Sequence, residues 1–220
     1  MAIKAPKGWY DISIPLKQGM VYLPIDPVAP KIYRYSDRVL GAPVSMSMLE
    51  IISHTATHID APLHFIPDGS TISDMPLDAT IGPCRVIEIK DHDLIKVEEI
   101  KQYPIKKGDR VLFKTRNSPA MYEGKKFPDS YVYFSDEAAE YLVGKGVIFV
   151  GLDSLTIGNY KDETSVVNTH TIFLKAGVYV LEGCALGHVP PGEYELMCLP
   201  LLMYNGDAGP SRAILRPLSK

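Results

Sequence analysis

The stretch His54-Thr55-Ala56-Thr57-His58-Ile59-Asp60-Ala61-Pro62-Leu63-His64 gathers three of the chain's six histidines, with an aspartate, into eleven residues. Chance placement would leave fewer than one histidine there. The four candidate ligands, His54, His58, Asp60 and His64, all carry even numbers. An extended chain would turn them to one face and Thr55, Thr57, Ile59, Leu63 and Phe65 to the other. A straight strand nevertheless fails on length, because ten residues at about 3.3 Å each would part His54 from His64 by about 33 Å, beyond the shared reach of one ion. The segment therefore bends. His54 and His58 at i, i+4 suit one helical turn, but Asp60 then leaves that face and Pro62 pushes Ala61 out of the helical region. The expected shape is a tight turn or short helical piece running into an extended Ala61 to Phe65, with the small Ala56 leaving room for converging imidazoles. Imidazole plus carboxylate suits a borderline divalent ion, Zn²⁺ or Mn²⁺, and three protein ligands with an open position mark a catalytic rather than a structural site.

Outward from this segment, the chain of 220 residues is long enough to bury a substantial core. Its 46% hydrophobic and 22% charged residues place it with ordinary folded proteins rather than disordered ones. Lys plus Arg number 23 against 26 Asp plus Glu, a net charge of −3 with no basic excess to neutralise a phosphate backbone, so nucleic acid is not an expected partner. No apolar run approaches the roughly 18 residues that span a bilayer, and the opening Met-Ala-Ile-Lys-Ala-Pro-Lys lacks the apolar core of a signal peptide. A cytoplasmic location without membrane partners is expected. Cys84, Cys184 and Cys198 form no C-x-x-C pair and read as small buried hydrophobes in a reducing compartment.

Eighteen prolines and seventeen glycines are spread along the chain rather than gathered into a linker, which predicts one domain over 1–220 with many turns. Val44 to Ile52, Arg85 to Ile89, Arg110 to Thr115, Val147 to Gly151, Gly177 to Leu181 and Tyr194 to Leu199 are β-branched or alternating and bounded by Gly, Pro or Asp; they read as strands. A helix is predicted over Ser135 to Val143, capped by Ser135, with Asp136 and Glu137 in its first turn and Gly144 as its stop. A weaker one covers Lys96 to Tyr103. Without strict β-α alternation, the expectation is a mixed-sheet α/β or α+β domain. Phosphate-binding glycine loops and a G-x-S-x-G elbow are absent from the sequence.

Farther on, NTHTIFLKAGVYVLEG (168–183) supplies His170 and Glu182. By spacing alone, His170 between two threonines reads as a turn residue and Glu182, ending a strand, as a solvent-facing one. His92 and His188 stand alone and read as turn or surface histidines. Arg212 reads equally as orienting a carboxylate or bracing a turn.

The string from His54 to His64 resembles the H-x-G-T-H-x-D-x-P-x-H signature of the cyclase-like metal-dependent hydrolases, a family that includes bacterial kynurenine formamidase and isatin hydrolase. The resemblance extends over nearly the whole chain, through WYDISIPL (9–16), HFIPDGSTISDMPLDATIGP (64–83), GVIFVGLD (146–153) and NGDAGPSRAIL (205–215). It implies a barrel-like, swivelling β/β/α domain, found as a homodimer or higher homo-oligomer with sites near the subunit interface. It implies that His54, His58 and Asp60 hold a first divalent metal, Zn or Mn, that Asp60, His170 and Glu182 hold a second where two are present, and that His64 carries the proton. The implied activity is hydrolysis of a C–N amide bond in a small molecule, a formamide such as N-formylkynurenine, by metal-activated water. A cyclic amide or imide is the alternative substrate, and a metal-binding protein without catalysis the alternative of another class. The signature glycine is Ala56 here. Leu23-Pro24-Ile25-Asp26 stands where formamidases of this family place a tryptophan, and Ser154 to Tyr160 lacks the family's serine-aspartate run.

Overall fold

Alternation along the strands sends side chains into two separate cores, and the sheet between them carries the site. The computed structural model describes residues 7–218. In chain order the strands are β1 (Tyr10–Asp11), β2 (Lys31–Ser36), β3 (Met46–Glu50), β4 (His58–Asp60), β5 (Ile81–Glu88), β6 (Leu94–Ile95), β7 (Arg110–Lys114), β8 (Tyr133–Phe134), β9 (Phe149–Leu152), β10 (Tyr179–Glu182), β11 (Gly192–Pro200) and β12 (Ala208–Pro217). The helices are α1 (Val97–Ile100), α2 (Ser118–Glu123), α3 (Asp136–Lys145) and α4 (Glu163–Lys175). The main sheet runs β1-β12-β11-β5-β7-β9-β10-β4, and β4 also pairs with β12, so seven strands close into a ring with β1 on its outside. The β5-β7-β9-β10 run is parallel and the remaining pairs are antiparallel. The fold is thus mixed α/β around a closed, barrel-like sheet.

The barrel interior is filled by residues such as Ile12, Ile59, Leu112, Phe149, Leu181, Leu196 and Leu215. The neighbours in sequence, Val111, Phe113, Val150 and Val180, point outward and are covered by Ala138 and Leu142 of α3 and Phe173 and Leu174 of α4. Burying such side chains fully contributes roughly 1.5–3 kcal/mol each. The parallel strands, apolar on both faces, read as continuous hydrophobic runs for this reason. Strands β2 and β3 take no part in the barrel. They form a separate hairpin arm whose apolar side chains, Tyr35, Met48 and Leu49 among them, lie exposed, as do Val39 and Leu40 at its tip. Among the described residues no helix is long and apolar enough to cross a membrane. Cys84, Cys184 and Cys198 are free and buried.

Four features depart from the sequence reading. Helix α3 begins at its Ser135 cap but passes through Gly144, ending where Gly146 adopts φ 74°. A glycine within the last turn leaves the helix intact, and the left-handed residue after it makes the stop. Helix α1 spans only Val97–Ile100 of the predicted Lys96 to Tyr103. The thirteen-residue α4, capped by Asp162, was not foreseen, so His170 lies on a helix rather than in a turn. In the 54–64 stretch the expected turn is there, at residues 53–57, but the extension that follows it comes earlier, in β4, and Pro62–His64 form a 3-10 turn opened by Pro62 where Ala61 to Phe65 was expected to be extended. A proline at the first helical position loses no hydrogen bond, which lets the turn start where the sequence suggested extension.

Candidate metal centre

Strand β4 closes the barrel and aims the site. Ile59 points into the barrel core, so His58 and Asp60 face the opposite side. In the flanking ladders Glu182 of β10 stands opposite His58, and Val180 and Ala208 stand opposite Asp60. The side chains of His58, Asp60, His170 and Glu182 are all buried. Glu182 therefore does not face solvent at its strand end. It lies under α4, where His170 Nε2 reaches its Oε1 at 3.2 Å and the backbone N–H of Ile157 donates to the same oxygen at 2.7 Å.

The structure brings all six residues singled out in the sequence to one place. His54 Nδ1 lies 2.9 Å from Asp60 Oδ1, and His58 Nε2 lies 3.4 Å from that oxygen and 3.2 Å from Glu182 Oε2. His170 Nε2 is 4.0 Å from Asp60 Oδ2. The rings of His54 and His64 lie 3.8 Å apart, centroid to centroid, and Phe65 stacks on His170 at 4.4 Å. Donor atoms converge in two sets, His54, Asp60 and His64 in one and His58, Asp60 and Glu182 in the other, with Asp60 common to both.

Each inward ring is held from behind. His58 Nδ1 donates to the Ala56 carbonyl at 3.0 Å, His170 Nδ1 to the Val166 carbonyl at 2.7 Å, and His54 Nε2 to Asp207 Oδ2 at 2.9 Å. Ala56 can present its carbonyl this way because its backbone sits at φ 62°, in the left-handed region. Thr57 Oγ1 locks the turn, accepting from Ile14 N at 2.7 Å and donating to the Gly183 carbonyl at 2.5 Å.

Asp207 was missed in the sequence. It sits inside the NGDAGPSRAIL segment, where no local spacing ties it to the histidines. Arg212 of that segment pairs with Asp11 on β1. His188 packs by Tyr10, away from the cluster.

Burial alone would lower the His54 and His58 pKa values. The carboxylates of Asp207 and Asp60 outweigh it for His54, raised to about 9, and those of Asp60 and Glu182 for His58, raised to about 10. For His64 burial wins, and its pKa falls to about 4. Burial also opposes ionisation of Asp60, but the adjacent His54 and His58 hold it well below the usual carboxylate range.

The donor set fits a divalent cation. His58 Nε2 and both Asp60 oxygens are buried and make no hydrogen bond. Such groups cost about 1–3 kcal/mol each when left unmade, and more when charged. Three imidazoles and two carboxylates aimed at a common space are the donor set of a borderline divalent cation, which would take the place of the protons those rings otherwise hold.

The pattern of the Cyclase family, described as "Putative cyclase", matches residues 10–159. This chain belongs to the cyclase family. Kynurenine formamidase of Bacillus cytotoxicus is 35% identical over 211 residues, spanning 96% of this chain and 98% of that one. Among solved structures, one described as a potential metal-dependent hydrolase with cyclase activity superposes with a TM-score of 0.82 at 32% identity, over 96% of this chain and 98% of that one. Isatin hydrolase A from Ralstonia solanacearum, at 22% identity, shares the fold with a TM-score of 0.79 over 96% of this chain and 92% of its own. This member of the cyclase family is a hydrolase.

Proposed function

We propose that this cyclase-family protein hydrolyses the C–N bond of a small-molecule amide, a formamide of the N-formylkynurenine type, in a divalent-metal-dependent reaction. The observation that carries the reading is the buried Asp60 carboxylate, without a hydrogen bond, at the centre of converging imidazoles. His54, His58, Asp60, His170 and Glu182 would hold the metal, Zn or Mn, as one or two ions with Asp60 common to both. Bound there, such an ion would supply a Lewis acid for the amide carbonyl and would make water acidic enough to ionise near neutral pH.

The chain's own residues supply the rest. His64, neutral at pH 7 with its pKa pushed down by burial, has a free imidazole nitrogen to take the proton released by the attacking water. It returns that proton to the leaving nitrogen, so that amide plus water becomes carboxylic acid plus amine, the acid then losing its proton to solvent. The His54 ring against it limits its rotation. Phe65, packed on His170, covers one flank of the cluster. Kynurenine formamidase relatives spanning nearly the whole chain support the amide as substrate.

A cyclic amide is the second reading. Leu23-Pro24-Ile25-Asp26 supplies no aromatic ring, and Ile25 is exposed beside Asp26, which feels the charges of His58 and His54. We place the protein in the cytoplasm as one domain over 1–220. We further propose that it works as a homodimer or higher oligomer, with the apolar β2–β3 arm covered by a second copy.

Metal content of protein purified without chelator, paired with hydrolysis of N-formylkynurenine and isatin before and after chelation, tests the reading. One or two equivalents of metal with chelator-sensitive turnover support it, and the preferred substrate chooses between the two amides. Failure to take up metal on reconstitution overturns it, and unfolding on chelation with no turnover of any amide would assign the site to a structural staple.

A further inference from the structure

Three imidazoles turn one nitrogen into the cluster, and what holds the other nitrogen differs among them. His58 and His170 are held by the main-chain carbonyls of Ala56 and Val166, which no change of those residues' own side chains deletes. His54 alone is held by a side chain, through Nε2 to Asp207 Oδ2 at 2.9 Å. Asp207 is itself fixed on two sides. Its carbonyl accepts from Ala61 N at 2.9 Å, joining the start of β12 to the end of β4, and Ser53 Oγ donates to its Oδ1 at 3.0 Å. Its Oδ2 also lies 3.8 Å from His64 Nδ1, beside the His54 and His64 rings, which pack against each other tilted by 32°.

We propose that Asp207 is a positioning residue that clamps His54 through Nε2–H, leaving Nδ1 as the nitrogen presented to a divalent cation beside Asp60, with Ser53 steadying the carboxylate. The inference rests on the reading of the cluster as a metal centre. A carboxylate behind a ligating imidazole fixes the tautomer and ring orientation and raises the basicity of the ligand nitrogen. Removing such a partner typically weakens metal binding about 10–100-fold. Asp207 would thus act on the metal and, through the His54 ring that packs on it, on His64 without touching the reacting atoms.

Zinc serves as the probe. Its affinity for the full chain is measured by competition with a chromophoric chelator for the wild type, Asp207→Ala, Asp207→Asn and Ser53→Ala, alongside thermal melting of each metal-free form. The expected result is a loss of about 10–100-fold for Asp207→Ala, recovered in large part by Asp207→Asn, whose amide oxygen still accepts from Nε2–H. Ser53→Ala should fall between the wild type and Asp207→Ala. In the zinc-loaded wild type, long-range ¹H–¹⁵N correlation should show His54 protonated at Nε2 and metal-shifted at Nδ1. Wild-type affinity in Asp207→Ala, equal loss in Asn and Ala variants whose metal-free forms melt normally, or a His54 ring ligated through Nε2 would each overturn the proposal. If the wild type takes up no zinc, the metal reading falls and this inference with it. If the wild type binds and the variants bind equally well, the role of Asp207 alone falls.

Discussion

His58 and Glu182 are cross-strand partners in the antiparallel ladder of β4 and β10, and their side chains meet at 3.2 Å on the face away from the barrel core. The pairing register thereby does the work of bringing together two residues far apart in the chain. A one-residue slip of β4 would turn His58 to the other face and part it from Glu182. Glu182→Gln keeps the shape but removes the charge. It should weaken zinc binding at least about tenfold, by analogy with the loss of a supporting partner, while leaving the circular dichroism spectrum unchanged. Unaltered zinc affinity would show that Glu182 is not a ligand.

His64→Ala should lower turnover by about 10²–10⁴, the usual contribution of a proton-transferring side chain, with metal stoichiometry retained. Metal analysis and steady-state kinetics on the same preparation decide the point. Turnover near wild type would remove His64 from the chemistry.

Protons and a cation compete for the same nitrogens. In the metal-free fold His54 and His58 are raised to about 9 and about 10 from the ordinary histidine value. Their protonation therefore stabilises that fold fully below about pH 6.5, the unfolded value, and the contribution is lost as pH rises through about 9 and then about 10. A cation must expel those protons, so zinc affinity should rise with pH from 6 to 9 while metal-free stability declines at the alkaline end. Chelator competition and denaturant melts across that range read both slopes. A flat zinc affinity would contradict the assignment of these two rings as ligands.

Gly183 follows Glu182 with φ 68°, and a β-carbon there would press into the Ala56 carbonyl. Gly146 has a similar φ of 74°, but its β-carbon would meet only the flexible Lys107 side chain and its Cα, at 3.1 Å and beyond. Gly183→Ala should therefore cost well over the roughly 1–2 kcal/mol of a left-handed alanine, and Gly146→Ala about that amount. Only the first should also weaken zinc binding, because the Ala56 carbonyl it displaces holds His58. Equal melting shifts for the two variants would refute the argument.

Val39 and Leu40 at the tip of the arm are 89% and 88% exposed. Paired substitution of both by aspartate should reduce the particle mass, read by light scattering, to that of one chain if a second copy covers the arm. An unchanged multimer would place the interface elsewhere.

Much of the local structure was legible because local chemistry made it. Ser135, Asp136 and Glu137 announce α3, and the apolar runs around Val111 and Val150 announce strands, which the structure places in the parallel part of the sheet. Helix α4 was hidden by its β-branched and small polar residues, Thr164, Ser165, Val166, Val167, Thr169 and Thr171, which weaken helical propensity. Asp162, Glu163 and Lys175 nonetheless carried its end signals. His54, His58, Asp60 and His64 stood out because they crowd one segment. Asp207 did not, because its bonds to Ser53 and His54 span about 150 residues and exist only once β12 lies against β4. The early extension at His58–Asp60 in that segment follows from the same pairing. Two flanking strands outweigh the local preference of four residues.

The strand that seals the ring is three residues long, and two of those three peptide units carry cluster side chains. Architecture and chemistry therefore share one seam. A change that tunes the reacting centre from within β4 also tugs at the strand joining β10 to β12. New substrate preferences have freer ground at the rim, in Leu23 to Asp26, where side chains are exposed or half-buried and no barrel hydrogen bond is at stake.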